Sequence, residues 1–509
     1  MIAGPDGERR QDDQTAVRAV LPSSVRGVFW NLLGGLWAGV LVIVSTPILV
    51  ADFGVDRFGV IGLWVSLQVV LGLFDFGLSS TLGRELARAG SDDAAQRHAA
   101  DVLVTFERCA WSVPLVLVLS NLAVRGLSGP VWLSSAVIPP AEMSLSLDVM
   151  VLALAVQFPS ILYAGGLVGV QRHGRLNSIL SVVNTLRWGG GALLAVQGVQ
   201  LYQFFLFQAL VSAIQSLSLR TMLRGSLGPA ASGRFRTSVL RQYLPFSVGM
   251  AGTSICAALI GNADRLLIGH FLTAAELGRY AIAFTGCNMI QMITLPFYRV
   301  YFPRFSQLVA AGDSPALRRE YFASCRWLSL VVVPVTVFLW TFAPELLEIW
   351  LGAAYPDAAA ILRWLVPGVG AAALGWLPGA FQQAHGLVRL HFAMLLLALV
   401  LGVPLAAWGI QYVGVLAATA IWLVHGAVTV GIEPLLMHRR FLRGDLSRWY
   451  AIVLLAPLAA SIAIAMLAME WMPSTLGRWT LLAWLTAAGV VAVALTFQAQ
   501  AALTPRTHE

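Results

Sequence analysis

The chain has 509 residues, of which 58% are hydrophobic and 11% are charged, and its mean hydropathy is +0.77. Soluble domains are about half apolar and about a quarter charged, so the composition excludes a soluble fold and indicates a membrane protein whose backbone is satisfied within helices. The net charge of +8 comes from arginines scattered over short loops rather than gathered in one segment, which argues against a nucleic-acid partner.

The first 27 residues are polar and lack the apolar core and cleavage site of a secretory signal, so the first helix is predicted to be an uncleaved anchor. Apolar runs of about 17–25 residues, long enough to cross a bilayer, then recur along the chain. They lie near residues 28–50, 59–80, 102–124, 148–170, 178–198, 201–222, 244–272, 277–298, 327–350, 361–384, 391–411, 413–437, 450–470 and 479–500. We predict an all-α integral membrane protein with about fourteen transmembrane helices.

Arginine indicates the orientation of these helices, because positively charged loops stay on the cytoplasmic side. With the N-terminus inside, most of the 33 basic residues, all of them arginine, fall on cytoplasmic segments. The exceptions are Arg57, Arg125, Arg265, Arg279, Arg363 and Arg478 on outer segments and Arg108 and Arg187 within spans. Both termini are therefore predicted to be cytoplasmic.

The chain also repeats itself weakly. Residues 53–59 (FGVDRFG) are similar to residues 274–280 (AAELGRY), and residues 109–111 (CAW) to residues 325–327 (CRW). Duplicated halves around a midplane site are common in transporters, although apolar segments also resemble one another by chance. We predict a cytoplasmic tail (1–27), two six-helix lobes related by the repeat (28–226 and 227–447), and an extra helix pair with a short tail (448–509).

Three stretches together resemble the polysaccharide-export flippases, whose superfamily also contains multidrug extruders and peptidoglycan-precursor flippases. The first stretch comprises Phe58-Gly59-Val60-Ile61-Gly62-Leu63-Trp64, Leu73-Phe74-Asp75-Phe76-Gly77-Leu78 and Arg84-Glu85-Leu86-Ala87. The second begins with Leu244-Pro245-Phe246-Ser247 and ends with Asp264-Arg265-Leu266-Leu267-Ile268-Gly269. The third is Glu276-Leu277-Gly278-Arg279-Tyr280.

This resemblance implies a two-lobed bundle in the bacterial inner membrane, with a cavity that opens alternately to each side. Its cargo would be an undecaprenyl-pyrophosphate-linked oligosaccharide moved to the outer leaflet. The extra helix pair resembles the peptidoglycan-precursor branch, but the first helix lacks the internal arginine of that branch. We therefore expect a capsule, exopolysaccharide or O-antigen unit as cargo, membrane lipids as surroundings, and a polymerase and glycosyltransferases as partners.

Arg187 is the candidate headgroup ligand, because a buried arginine persists in a membrane only where it faces protein or water. With Asn184 and Gly191 it forms one polar, open stripe on the fifth helix. A guanidinium binds phosphate oxygens in bidentate fashion. The alternative is an internal ion pair that holds the fifth helix to a neighbour.

Gln68 and Asp75 lie on one polar face of the second helix, with Gly72 and Ser79, and this face is expected to line the lobe interior. Asp75 has three candidate roles: a proton or cation site, an ion-pair partner, and an interfacial carboxylate. The eighth helix repeats the pattern more weakly with Asn288, Gln291 and Tyr298.

Asp264 and Arg265 are expected near the outer end of the seventh helix, where water and snorkelling favour an interfacial pair over a gating or headgroup role. Glu107 and Arg108 are adjacent, so each is expected to find partners on other helices. His425 lies mid-span, where an imidazole either relays protons or is hydrogen-bonded within the bundle. These last three residues are candidates for coupling.

Enzyme motifs are absent from the sequence: there is no phosphate-binding GxxxxGK[ST] loop, HExxH pair or metal-spaced cluster, so no catalytic residue, metal or cofactor is expected. One alternative function is a drug or cation exporter of the same superfamily, which would place acidic groups in its cavity. A second is a membrane glycosyltransferase or polymerase, which would need a sizeable outer loop with carboxylates or histidines. A third is a lipid scaffold, which would need no polar stripes.

Overall fold

The computed structural model describes residues 23–89, 93–128, 133–227, 233–472 and 477–503. Within these ranges the chain is almost entirely helical, and the only β-type pairing is an isolated bridge between Ser134 and Thr273. The prediction of an all-α protein is confirmed. Most of the predicted N-terminal tail and the last residues, 504–509, lie outside the described residues.

The N-terminal half of the described chain consists of α1 (Ser23–Leu71), α2 (Leu78–Ala89), α3 (Asp93–Ser128), α4 (Pro140–Gln157), α5 (Pro159–Gly169), α6 (His173–Asn184), α7 (Gly191–Val196) and α8 (Leu201–Leu227). The C-terminal half consists of α9 (Thr237–Phe271), α10 (Ala274–Ala310), α11 (Ser314–Thr341), α12 (Ala343–Leu351), α13 (Pro356–Leu374), α14 (Trp376–Ala384), α15 (Val388–Val413), α16 (Ala420–Ala427) and α17 (Glu433–Phe441). A terminal group follows: α18 (Leu446–Trp449), α19 (Ala456–Glu470) and α20 (Arg478–Leu503).

Several of these helices are joined by short turns of other helix types rather than by loops. The 3₁₀ turns are Gly72–Asp75 and Gly414–Thr419, and the π turns are Thr185–Gly190, Val428–Ile432 and Tyr450–Leu455. A π turn carries one extra residue and changes the direction in which the following side chains point. Two of the three π turns lie beside candidate site residues, as described below.

Ten helical stretches of the described residues are long and apolar enough to cross a membrane. Two of them, Gly34–Asp75 with 42 residues and Arg389–Phe441 with 53 residues, exceed the roughly 20 residues that one crossing needs. Each contains a glycine with a positive φ, 79° at Gly54 and 68° at Gly414, at which the helix direction breaks. The chain is a multi-pass helical membrane protein, and the total of about fourteen crossings stays a prediction.

The two copies of the repeated motif pack directly against each other. A Cβ atom at Gly59 of α1 would meet the carbonyl of Ala274 and the backbone of Gly278 in α10, and one at Gly278 would meet the carbonyl of Val55. Only glycine lets two helix backbones approach this closely. We call this contact the glycine seam; it joins the N-terminal and C-terminal halves.

The segment between α3 and α4 also joins the two halves, at the same end of the bundle as the glycine seam. The hydroxyl of Ser135 donates to the carboxylate of Asp56 over 2.6 Å, and the backbone N–H of Ala274 donates to the carbonyl of Ser134 over 2.8 Å. One short segment therefore bridges α1 and the start of α10, on either side of the glycine seam.

The last two long helices, α19 and α20, pack on each other and on α11. The side-chain N–H of Gln500 donates to the Ser329 hydroxyl over 2.9 Å and to the Ile452 carbonyl over 3.0 Å. The rings of Trp327 and Phe497 stack with centroids 6.0 Å apart. The terminal pair is thus fixed to α11 of the C-terminal half by the buried bond to Ser329 and by the more exposed aromatic stack.

Candidate functional site

Arg187 lies on the π turn between α6 and α7, and its side chain points into the N-terminal half, where the residue is 4% exposed. Such π turns are frequent at functional sites. The predicted open stripe is only partly present. Gly191 packs against the ring of Phe204, because the extra residue of the π turn rotates it away from open space, and Asn184 is half-buried.

Neutral groups from three helices surround the Arg187 guanidinium. It donates to the amide oxygens of Gln157 and Gln215, each over 3.0 Å, and to the Ser212 hydroxyl over 3.3 Å. With the Gln68 amide turned so that its oxygen faces the guanidinium, Gln68 accepts a further bond over 3.0 Å. The structure therefore brings Gln68 and Arg187 together; the sequence predicted only that Gln68 would line the lobe interior.

The charge of Arg187 has no counter-ion among the described residues. No described carboxylate lies within ion-pairing distance of its guanidinium, and the ring of Trp64 covers it at 5.2 Å. The alternative of an internal ion pair is thus not realised in the described part of the chain. The charged guanidinium is thus surrounded by neutral hydrogen-bond acceptors and one aromatic ring.

Asp75 does not join this group. It ends the 3₁₀ turn after α1, where Phe76 and Gly77 adopt positive φ values of 43° and 77°. Its carboxylate accepts from the backbone N–H and the hydroxyl of Ser79, at 3.1 and 2.6 Å, and forms no ion pair with any described residue. Asp75 thus caps the start of α2 in the way that aspartate commonly caps helices.

Glu107 and Arg108 find partners on other elements, as their adjacency predicted. The Glu107 carboxylate accepts from Arg220 and Arg224 of α8, each over 2.5 Å, and from the Tyr163 hydroxyl over 2.7 Å. Arg108 instead lies 5.1 Å from the ring of Phe235. Glu107 is a buried anchor between α3, α5 and α8, and the two residues form no common site.

Asp264 and Arg265 form a buried pair, so the expectation of a snorkelling pair in contact with water is wrong. Asp264 is fully buried and accepts from the Tyr280 hydroxyl over 2.6 Å and from the Trp422 indole N–H over 3.0 Å. The Arg265 guanidinium lies 3.7 Å from the Phe284 ring centroid. The reason is that α9 packs between α10, α15 and α16, which enclose both side chains.

The C-terminal half contains a cavity of about 410 Å³ among helices α9, α10 and α13 to α17. Its polar lining residues are Gln291, Tyr298, Gln383, His391, His425, Thr429 and Glu433. The predicted polar positions Gln291 and Tyr298 of α10 therefore do line an interior space. Trp422 also lines the cavity and links it to Asp264.

Sequence reasoning found His425 but missed Glu433 and His391. The Glu433 side chain is 3% exposed, accepts from the Gln382 amide over 2.7 Å, and lies 3.3 Å from Nδ1 of His391. The rule that selected Arg187, an ionisable side chain inside an apolar span, also applies to Glu433 near the end of the predicted span 413–437. Within the described ranges there is no group of three or more side chains suited to a metal ion.

A family model described as polysaccharide biosynthesis protein matches residues 178–360. The "Putative O-antigen transporter" of Shigella flexneri is 21% identical over 427 residues, which cover 83% of this chain and 98% of that protein. The resemblance to polysaccharide-export flippases inferred from the sequence is confirmed.

Solved structures of transporters share the fold. The lipid II flippase MurJ in an inward closed conformation superposes with a TM-score of 0.69 at 11% identity, over 93% of this chain and 98% of that one. A multidrug resistance MATE family transporter of the MOP superfamily, in an inward-facing conformation, gives 0.57 at 14% identity, over 81% of this chain and 96% of that one. At these identities the likeness establishes the fold alone.

Proposed function

We propose that the chain is a flippase that moves an undecaprenyl-pyrophosphate-linked oligosaccharide from the cytoplasmic to the outer leaflet of the bacterial inner membrane. The product would serve capsule, exopolysaccharide or O-antigen synthesis. The observation that carries this proposal is the buried Arg187 guanidinium with neutral described partners only. A pyrophosphate is an anion that a guanidinium binds in bidentate fashion. The O-antigen transporter relative and the flippase fold support the same assignment.

The topology that we propose has fourteen crossings, both termini in the cytoplasm, lobes 28–226 and 227–447, and the added pair within 448–509. The helix breaks at Gly54 and Gly414 support it, because each divides a long candidate span into two. Arginine-rich connections then lie in the cytoplasm, as the charge rule requires. The glycine seam lies at the outer end of the bundle in this topology.

In the proposed mechanism the headgroup enters from the cytoplasm and its pyrophosphate displaces amide partners of Arg187, while the lipid tail stays in the bilayer. Gln68, which accepts from the guanidinium, and Asn184, three residues before Arg187 in the chain, supply further hydrogen bonds to the headgroup in this mechanism. The two lobes then rock about the midplane and open the outer end, which separates the glycine seam. A polymerase and glycosyltransferases that act on the same lipid are the expected partners.

A cation exporter is the second candidate, because the C-terminal cavity places one carboxylate, Glu433, among the aromatic side chains Trp376, Trp422 and Tyr298. Organic cations bind to the faces of aromatic rings and to carboxylates. The MATE transporter that shares the fold is consistent with this function. The two candidates differ in the half of the molecule that holds the cargo.

The deciding experiment uses purified full-length protein in liposomes that contain a fluorescent undecaprenyl-pyrophosphate oligosaccharide. The rate at which headgroups become accessible is compared between the wild type, Arg187→Ala and Arg187→Lys. We expect Arg187→Ala to lower the rate at least tenfold, and Arg187→Lys to retain a fraction because it keeps the charge but loses the planar fork.

The matched control is Arg175→Ala, which removes an exposed arginine from α6, the helix that leads to Arg187. Movement that survives in both Arg187 variants would demote Arg187 to a structural role. Absence of movement with the wild type, together with export of an aromatic cation such as ethidium that Glu433→Gln abolishes, would establish the exporter function instead.

A further inference from the structure

The cavity of the C-terminal half contains a pairing of acid and base that the proposed headgroup site does not use. Oε1 of Glu433 lies 3.3 Å from Nδ1 of His391, and Glu433 is 3% exposed whereas His391 is 22% exposed. The more exposed imidazole thus lies between the deeply buried carboxylate and the outside of the cavity. His425 lines the same cavity, and its Nδ1 is buried without a hydrogen-bond partner among the described residues.

From this geometry we infer that Glu433 and His391 form a proton-binding site, with His425 as a second polar group of the same cavity. A proton taken up from water by the His391 ring is held at Nδ1 and donated to Oε1 of Glu433. Without the bound proton the pair carries one negative charge, and with the proton bound (the loaded pair) it is neutral. Loading therefore removes a net charge from an apolar environment, where charge is costly.

Two hydrogen bonds, one to the backbone before Glu433 and one to its carboxylate, hold this residue in place. Pro434 has no N–H, so it cannot donate to the carbonyl of Val430, four residues earlier. The hydroxyl of Tyr450 donates to that carbonyl instead, over 2.7 Å. On the other side, the Gln382 amide donates to Glu433 over 2.7 Å. The Gln382 amide thus holds the carboxylate, and the Tyr450 hydroxyl supports the backbone three residues before it.

Among the described residues, no other titratable side chain forms an ion pair or a hydrogen bond with Glu433 or His391. His425 and the buried Tyr321 of α11 interact with the pair only electrostatically. Within the lining of the cavity, the remaining titratable side chains are Tyr298 of α10, which donates to Gln383 over 2.9 Å, and His425 of α16. Asp264 and Arg265 of α9 are paired with each other behind Trp422. The other charged residues and histidines on these helices do not line the cavity; they are Arg241, His270, Glu276, Arg279, Arg299, Arg304, Asp357, Arg363, Arg389, His438, Arg439 and Arg440.

The chemistry of the pair favours a proton over a metal ion. A sodium ion prefers several oxygen ligands, as hard cations do, whereas the direct partner of Glu433 on its exposed side is a ring nitrogen. The lining of the cavity contains a single carboxylate and no arginine. If the proposed flippase function holds, proton release from this site to the cytoplasm would drive the lobes through their cycle.

The test counts protons without any lipid cargo, so its result is independent of the flippase proposal. Purified full-length wild type, Glu433→Gln and Glu348→Gln in nanodiscs are titrated with acid, and the protons bound per chain are compared in the pH range in which histidine titrates. Glu348 is an exposed glutamate of α12 and serves as the matched control. We expect Glu433→Gln to bind up to one proton fewer per chain in this range, although no histidine is removed, and Glu348→Gln to match the wild type.

Further variants make the result decisive. Glu433→Gln with His391→Gln together should lose no more protons in this range than His391→Gln alone, because the two residues bind one proton as a pair. If Glu433→Gln fails to fold, His391→Gln is compared with His270→Gln, which removes an exposed histidine of α9, and the two variants should differ in the protons bound per chain. Equal titration curves for Glu433→Gln and Glu348→Gln would overturn the proposal. So would thermal stabilisation of the wild type by sodium chloride over choline chloride that Glu433→Gln abolishes, since the ligand would then be sodium.

Discussion

Gly59 of α1 and Gly278 of α10 lie so close that a Cβ atom on either would fall within 3 Å of the backbone of the other helix. Both glycines belong to the repeated motif, so the duplicated segments of the chain meet each other where they pack. The consequence is a contact between the halves that depends on the absence of two side chains. In the proposed topology it closes the outer end.

Replacing either glycine of the seam should therefore open or weaken this end. We expect Gly278→Val to lower the transport rate at least tenfold, because a branched side chain would force the helix backbones apart at a cost of about 1–3 kcal/mol. Labelling of a cysteine introduced at Val55 by a water-soluble maleimide should increase at the same time. Gly225→Ala, at a position with open space around it, is the control and should leave both quantities unchanged.

Glu107 should be more important for stability than any exposed ion pair of the chain. Glu107→Ala removes the acceptor of two arginines and of the Tyr163 hydroxyl. Buried charged hydrogen bonds contribute about 1.5–3 kcal/mol each when intact, and the half-exposed arginines reduce this figure. The thermal midpoint in detergent should fall by several degrees, whereas Glu276→Ala, which breaks an exposed pair with Arg279, should change it little. Equal shifts for the two variants would argue against Glu107 as an anchor.

The buried pair of Asp264 and Arg265 should behave as one unit. Asp264→Leu alone leaves a buried guanidinium without its carboxylate, which typically costs about 3–5 kcal/mol. Asp264→Leu combined with Arg265→Leu removes both charges and should recover much of the thermal midpoint. A double variant no more stable than Asp264→Leu would show that the hydrogen bonds from Tyr280 and Trp422, rather than the charge balance, are what Asp264 supplies.

Substitutions at Asp75 distinguish a role in capping α2 from a role that needs the negative charge. Asp75→Asn and Asp75→Ser keep an acceptor for the Ser79 N–H, so transport should stay near the wild-type rate if the residue only caps α2. Asp75→Ala should lower stability by about 0.5–2 kcal/mol. Loss of transport in Asp75→Asn with unchanged stability would instead identify the carboxylate as a proton or cation site.

The helices were predictable because the membrane imposes one pattern on the whole chain. Apolar run length located the spans, and both sharp breaks in the long helices lie at glycines near predicted span ends: Gly54 lies between two spans, and Gly414 is the second residue of the span 413–437. Arg187 stood out for the same reason, since an arginine within an apolar run is conspicuous. Its neighbours on α4 and α8 were not predictable, because hydropathy does not say which helices are adjacent.

The main property that the sequence did not predict is how deeply a side chain is buried within the bundle. Asp264 and Arg265 lie near a predicted span end, which suggested contact with water, yet neighbouring helices enclose them. Glu433 lies even closer to a predicted span end, four residues before residue 437, which gave no reason to expect that it is buried. The π turns add to the difficulty, because one extra residue shifts a helical face by more than a quarter turn.

The hydrogen bond from Tyr450 to Val430 connects the added helix pair to the C-terminal half. Tyr450 belongs to the beginning of the added helix pair, whereas Val430 belongs to the twelfth predicted helix. The pair is therefore not a detachable extension: a chain truncated after residue 447 would leave the backbone beside Glu433 without its support.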